Sequence, residues 1–324
     1  MKRTHPAIAI ALTLALSNVA EARQYGPWND PQPVNTINTV MAAEGCPIES
    51  RDGLSLYIAS NRGAVGAQGK LDVYRAQRDA IGADWGEPQN LGPVVNTPEF
   101  DYCPTPLQGR WLMFVTSQAT AGDCFPGEAA PSAPPGSPAP GDIYLTRENP
   151  AHGWTQPLNL GCFPHGPNTR DYEFSPSLVE TAEGTWLFFS SNGYPDSQGH
   201  DIYVSRVLDD GTVTPGQRVA ELSTAYDDRM PNVSKDGREI VFSSTRPGTA
   251  GSHDIYVSTR SDTGATWAAP ERIDNPFINT AASETRASLS GDGSRLYFGR
   301  KLDASDPGDI FVSTRDKLTG KRAR

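Results

Sequence analysis

The sequence predicts an all-β fold: a five-bladed β-propeller of four-stranded antiparallel blades. Three observations carry that reading. A strand pattern opening on aspartate recurs five times, as Asp72-Val73-Tyr74, Asp142-Ile143-Tyr144, Asp201-Ile202-Tyr203, Asp254-Ile255-Tyr256 and Asp309-Ile310-Phe311. The copies fall every fifty to seventy residues, a fixed-order repeat made only of strands, as propeller blades are. A Trp-x-x-Pro segment followed by an Asn-Thr signal also recurs, and one copy stands out of place at the N-terminus.

The fullest copy runs from 228 to 260. It reads as a strand over 229–234, a Lys235-Asp236-Gly237 turn, a strand over 239–244, a Gly-rich loop and a strand over 254–259. Each run is β-branched or aromatic between turn residues, which is the pattern of an antiparallel meander. The Trp-x-x-Pro segments at Trp85, Trp154 and Trp267 follow such meanders, and the third blade keeps Pro215 with Thr212 in the Trp slot. They supply the outermost strand, where an edge position tolerates proline. The last Asp-Ile-Phe strand has no such segment after it. The orphan copy at Trp28 should therefore pair 28–34 with 308–314, closing the ring and removing its open edge. The blades are then 44–91, 101–160, 173–222, 228–273 and 284–314 plus the N-terminal strand. Blade two carries a Pro-rich insertion, 119–140, whose composition suits a flexible surface loop.

The 324 residues carry a formal charge of −10 with 37% hydrophobic content. Lys2 and Arg3 precede an apolar run over 7–16 and Ala20-Glu21-Ala22, the order of a secretory signal peptide. We expect residues 1–22 to be that signal and 23–324 to be one domain, periplasmic or secreted and monomeric. An acidic exported chain is poorly suited to nucleic acid, and no other segment is apolar enough to span a bilayer. Four cysteines in such a compartment favour two disulfides. The repeat register suggests Cys46–Cys103, on adjacent inner strands, and Cys124–Cys162, in two loops of blade two.

The pattern acid-x-x-Pro-x-x-Ser, Asp-Gly, then Gly-x-Asp-Ile-Tyr-x-Ser-x-Arg resembles the WD40-like repeat of TolB-type periplasmic β-propellers, with Lys235-Asp236-Gly237 and Gly291-Asp292-Gly293 matching well. The resemblance covers nearly all of the mature chain. It implies a propeller that binds an envelope protein or a peptide.

Candidate site residues come from the start of each inner strand. Glu44, Asp101, Glu173 and Asp228 stand three residues before a blade proline, and Glu284 holds the fifth place. Five carboxylates at a channel mouth would raise one another's pKa values without compensation. Arg62 and Arg246 hold the compensating Ser-x-Arg position, whereas Gln118, Gly193 and Leu302 stand there in the other blades. Compensation should be poorest around Asp101 and Glu173, where Tyr102 and Tyr172 also gather. His165, His200, His253, Tyr194 and Phe125 could add an aromatic and polar rim. Such a ring could cap neighbouring loops, hold a hard cation such as Ca²⁺, or work on a sugar as paired acids. No cofactor is required by any motif present. The leading reading is an exported, non-catalytic propeller binding a protein, peptide or carbohydrate on its channel face. The alternative is a carbohydrate-active hydrolase or lyase using channel-mouth carboxylates.

Overall fold

The computed structural model describes residues 25–117, 124 and 140–318. The signal-like segment 1–22 and nearly all of the insertion 119–140, with Phe125, lie outside the described residues. Five antiparallel sheets follow one another around a ring, each running outward from an inner strand. The inner strands are Glu44–Glu49, Asp101–Pro106, Glu173–Thr181, Asp228–Val233 and Ser283–Leu289. Each blade core is the meander read from the sequence, its third strand opening on the recurrent aspartate at Asp72, Asp142, Asp201, Asp254 or Asp309. The fourth strands shrink to two residues, such as Gln89–Asn90. The tryptophan and proline lie before the strand rather than in it. Blade two adds a short fifth strand, Gly153–Trp154, as an extension of its third.

The ring closes through the N-terminus. Gln32–Pro33 pairs antiparallel with Asp309–Thr314, with Gln32 opposite Val312 and Pro33 opposite Phe311. Side chains reinforce the closure in the same way that they bind the other fourth strands. Arg78 covers Trp85 at 4.0 Å and Arg260 covers Trp267 at 4.3 Å, while in blade five Arg315 covers Trp28 at 4.2 Å. Asn38 clamps both sides of the Ile310 peptide, donating to its carbonyl and accepting from its N–H, each at 2.9 Å. Asn96, Asn168 and Asn279 do the same for Val73, Ile143 and Ile255. The Asn-Thr signal is thus a stitch between the outer loop and the third strand of its own blade.

The apolar cores lie between blades. Phe188 and Ile202 of blade three pack with Ile240, Phe242 and Trp267 of blade four, and comparable clusters fill the other junctions. Every inner strand breaks register near its start, for instance between Gly45 and Ile48 and between Thr285 and Ser288. The first unpaired residue of each break has left-handed backbone: Cys46, Cys103, Ser175, Met230 and Arg286, with φ of 50, 48, 52, 60 and 52°. Five non-glycine residues in that region are uncommon. Since residue type varies from blade to blade, the bulge belongs to the repeat and not to any one side chain.

Candidate ligand site at the channel mouth

The five ring acids are built identically. Each is buried, and each accepts hydrogen bonds from the N–H and hydroxyl of the Asn-Thr or Ser-Thr threonine just upstream. Thr39 serves Glu44, Thr97 serves Asp101, Thr169 serves Glu173, Thr224 serves Asp228 and Thr280 serves Glu284. The dipeptide therefore stitches one blade with its first residue and caps the next blade's acid with its second. Opposite four of the acids on the second strand stands a small hydroxyl residue, Ser60, Thr116, Ser191 or Ser244. In blade five that slot holds Arg300.

Arginine compensation follows from these slots. Arg62 reaches Glu44 at 3.0 Å and Arg246 reaches Asp228 at 2.6 Å. Arg300 reaches Glu284 at 2.8 Å, directly from the hydroxyl slot and not from the Leu302 position two residues on. Sequence reading missed Arg300 because it looked only at the Ser-x-Arg spacing. Asp101 and Glu173 have no arginine partner among the described residues. Burial pushes Asp101 up to about 6 and Glu173 up to about 8, against the opposing hydrogen bonds from their threonines. Buried Asp101 Oδ1 has no hydrogen-bond partner in good geometry, although the Thr116 hydroxyl is near.

A stability prediction follows. The unfolded chain releases these protons near the ordinary 4.5 for glutamate and 3.8 for aspartate, before the folded protein does. Between about 4.5 and 8 the folded state holds the extra Glu173 proton, so stability is lost as pH rises through that window; Asp101 contributes the same sign from 3.8 to about 6. Above the ordinary imidazole value of 6.5, where the neutral His200 and His253 no longer oppose this slope, we expect the melting temperature to decline up to pH 8 and Glu173→Gln to flatten the decline. Parallel melting curves for the two proteins across that range would show that Glu173 ionises normally.

Beside these two acids the channel mouth is aromatic and polar. Tyr172 stacks on Phe174 at 5.3 Å, Tyr102 lies 5.8 Å from Phe174, and His200 packs against Phe174 at 5.3 Å. Arg229, following ring acid Asp228, makes no ion pair among the described residues. Its Nε is buried without a partner, as are Tyr172 Oη, His200 Nδ1 and His253 Nε2. Burial, aided by Arg229, holds His200 well below the usual imidazole range and brings His253 down to about 3, so both rings are neutral at pH 7. On the blade-one side the equivalent position is Gly45, where an added Cβ would meet nothing within 4 Å. Among the described residues the mouth is thus walled by blades two to four and open above blade one. The loops of this face also carry exposed Met41, Val65, Tyr226, Phe277 and Leu302.

Two expected rim residues lie elsewhere. Tyr194 is buried, stacked on Tyr203 at 4.3 Å with its hydroxyl bonded to the Pro167 carbonyl, so it serves the blade-three core. His165 is exposed in the loop before blade three. Among the described residues no group of three or more His, Cys, Asp or Glu side chains is placed to hold a metal ion. The threonine caps tie each ring acid to its own blade. A groove of about 430 Å³ on the opposite face, between blades four and five, includes Trp267, but Arg260 already covers that ring.

Of the two expected disulfides, Cys124–Cys162 is formed, with Cα atoms 5.2 Å apart. Cys46 and Cys103 are free thiols. Their inner strands belong to different sheets, so blade packing rather than a hydrogen-bonded ladder sets their spacing; it leaves the sulfurs adjacent but unjoined.

No family model matches the sequence, and no curated protein matches it. Solved structures do resemble the fold. An α-L-arabinofuranosidase from Lactobacillus brevis superposes with a TM-score of 0.55 at 13% identity, covering 89% of this chain and 95% of that one. A thermostable family-43 glycoside hydrolase gives 0.53 at 13% identity over 88% and 92% of the two chains. TolB from Acinetobacter baumannii gives 0.44 at 14% identity, over 81% of this chain and 53% of that one. At these identities the likeness establishes a β-propeller and nothing narrower. The TolB resemblance stands as a resemblance of blades, not as membership of that family.

Proposed function

We propose that the protein is an exported carbohydrate-binding propeller whose ligand enters the channel mouth over blades two to four. One observation carries this reading: Tyr172 and Phe174 pack on His200, Arg229 and His253 adjoin that ring, and Tyr172 Oη, His200 Nδ1, His253 Nε2 and Arg229 Nε are all buried without a hydrogen-bond partner. Unmade hydrogen bonds at buried polar atoms are costly, and an aromatic wall with converging polar groups is what a sugar ring's apolar face and hydroxyls satisfy. The Cys124–Cys162 bridge is consistent with an oxidising compartment, and no described helix is long and apolar enough to cross a membrane. Glycan-array binding tests the proposal. Arg229→Gln and Tyr172→Leu should each weaken the best ligand about tenfold or more while melting within a few degrees of the parent, by the scale of a lost charged hydrogen bond or ring contact. Unchanged affinity in both variants would place the ligand elsewhere.

Hydrolysis is the second reading, and it is the one that the fold of the arabinofuranosidase and the family-43 enzyme favours. Burial raises both Asp101 and Glu173, to about 6 and about 8, and a raised carboxylic acid is what a glycosidase general acid needs. Their threonine caps weigh against it, because each carboxylate already accepts hydrogen bonds from its own loop. Release of reducing ends from a polysaccharide panel, abolished by Glu173→Gln, would replace the binding reading with the catalytic one.

A further inference from the structure

Below the aromatic layer, the five left-handed bulge residues face the channel axis. Arg286 shows this most directly. From blade five its Nη2 crosses to Thr105 of blade two, a blade that is not its neighbour, at 3.2 Å, and its Nη1 reaches the Pro231 carbonyl of blade four at 3.3 Å. The side chain is 1% exposed, has no carboxylate partner among the described residues, and leaves Nε without an acceptor. A fully buried guanidinium calls for an anion. The groups facing it are the thiols of Cys46 and Cys103. Ser175 donates its hydroxyl to Cys103 Sγ at 3.3 Å, and the Cys46 thiol donates to the same sulfur. Burial alone would raise Cys103, but these two donors and Arg286 outweigh it and hold it below the ordinary thiol range, while Cys46 is raised as the donor. Tyr102 and Arg229 are the other titratable groups next to the pair.

We propose that Cys46 and Cys103 form a dithiol site in the channel that exchanges with small disulfides. The pair carries one shared proton at neutral pH, with the remaining charge balanced by Arg286. Cys46 keeps partial exposure beside Gly45 whereas Cys103 has none, so Cys46 is the one a reagent meets first. With the shared proton on Cys103, the Cys46 thiolate attacks one sulfur of R–S–S–R, forming a mixed disulfide and expelling RS⁻, which takes the proton from Cys103. The Cys103 thiolate then attacks Cys46 Sγ, closing the Cys46–Cys103 bond and expelling the second RS⁻, which is protonated from solvent. The protein dithiol loses two electrons and the small disulfide gains them. The bridge pins blade one to blade two directly beneath the proposed ligand site.

Incubating the full mature protein with oxidised glutathione tests the site. The expected product has lost two hydrogens and shows a Cys46–Cys103 linkage on non-reducing peptide mapping, with Cys124–Cys162 intact. Cys103→Ser should instead accumulate a stable glutathione adduct on Cys46. Gly45→Leu, at a position of ordinary φ with room for the side chain, should slow the reaction at least about fivefold without touching either sulfur. Arg286→Gln should shift the midpoint of the pH–rate profile upward, lowering the rate near neutrality roughly fivefold. If Arg286→Gln does not fold, Gly45→Leu and Cys103→Ser still decide. A folded parent that forms neither bridge nor adduct, or a rate equal in Gly45→Leu, overturns the proposal.

Discussion

Arg300→Leu is expected to destabilise the protein by about 3–5 kcal/mol at pH 8, the scale of a buried ion pair with one partner removed. Glu284 is wholly buried, and Arg300 is its only ion-pair partner among the described residues. The guanidinium also bonds the Ile278 carbonyl in the loop before blade five at 3.1 Å and stacks over Phe311 at 4.4 Å, so leucine forfeits contacts on that loop and on two strands of blade five. The loss should be partly recovered by adding Glu284→Gln, which keeps hydrogen bonding to Thr280 without a charge. Urea unfolding of the double-mutant cycle measures this. No recovery in the double variant would assign Arg300 a packing role alone.

Deleting residues 23–38 should have the next largest effect. It removes the Gln32–Pro33 pairing, both Asn38 bonds to Ile310 and the Trp28 face beneath Arg315. At about 1 kcal/mol per lost hydrogen bond the direct loss is roughly 4 kcal/mol, which for a chain of this size lowers the melting temperature by the order of 10 degrees. The larger consequence is the exposed Asp309–Thr314 edge, whose free N–H and C=O groups can pair with another copy. Size-exclusion chromatography of the truncated protein should show oligomers or aggregate. A monomer with an unshifted melting transition would mean that blade five is closed by its own three strands.

Much of this was legible in residue order because the repeat is local. The Asp-Ile-Tyr strands, the Asp-Gly turns and the orphan Trp28 segment specify strand order within a blade and the closure partner. Each rests on periodicity and turn chemistry over a few residues. The weakness of compensation at Asp101 and Glu173 was visible in the same way, as arginines missing from one slot. Other features depended on which side chains a blade turns toward its neighbours, and no spacing along the chain encodes that. The Asn-Thr dipeptide was visible as a repeat, but its double task, clamping one blade and capping the next blade's acid, appears only where the blades meet. Arg300 occupies a hydroxyl slot and so escaped a search by spacing. Cys46 and Cys103 share a register position, yet they stand as adjacent free thiols. Arg286 faces those thiols from the left-handed bulge of blade five, a placement that no spacing along the chain encodes. Sequence alone determined the blades and their count, since strand patterning is written within each repeat. The tertiary structure decided which acids are sealed, which polar atoms remain open and what lines the axis, because those depend on burial and on charges brought together from different blades.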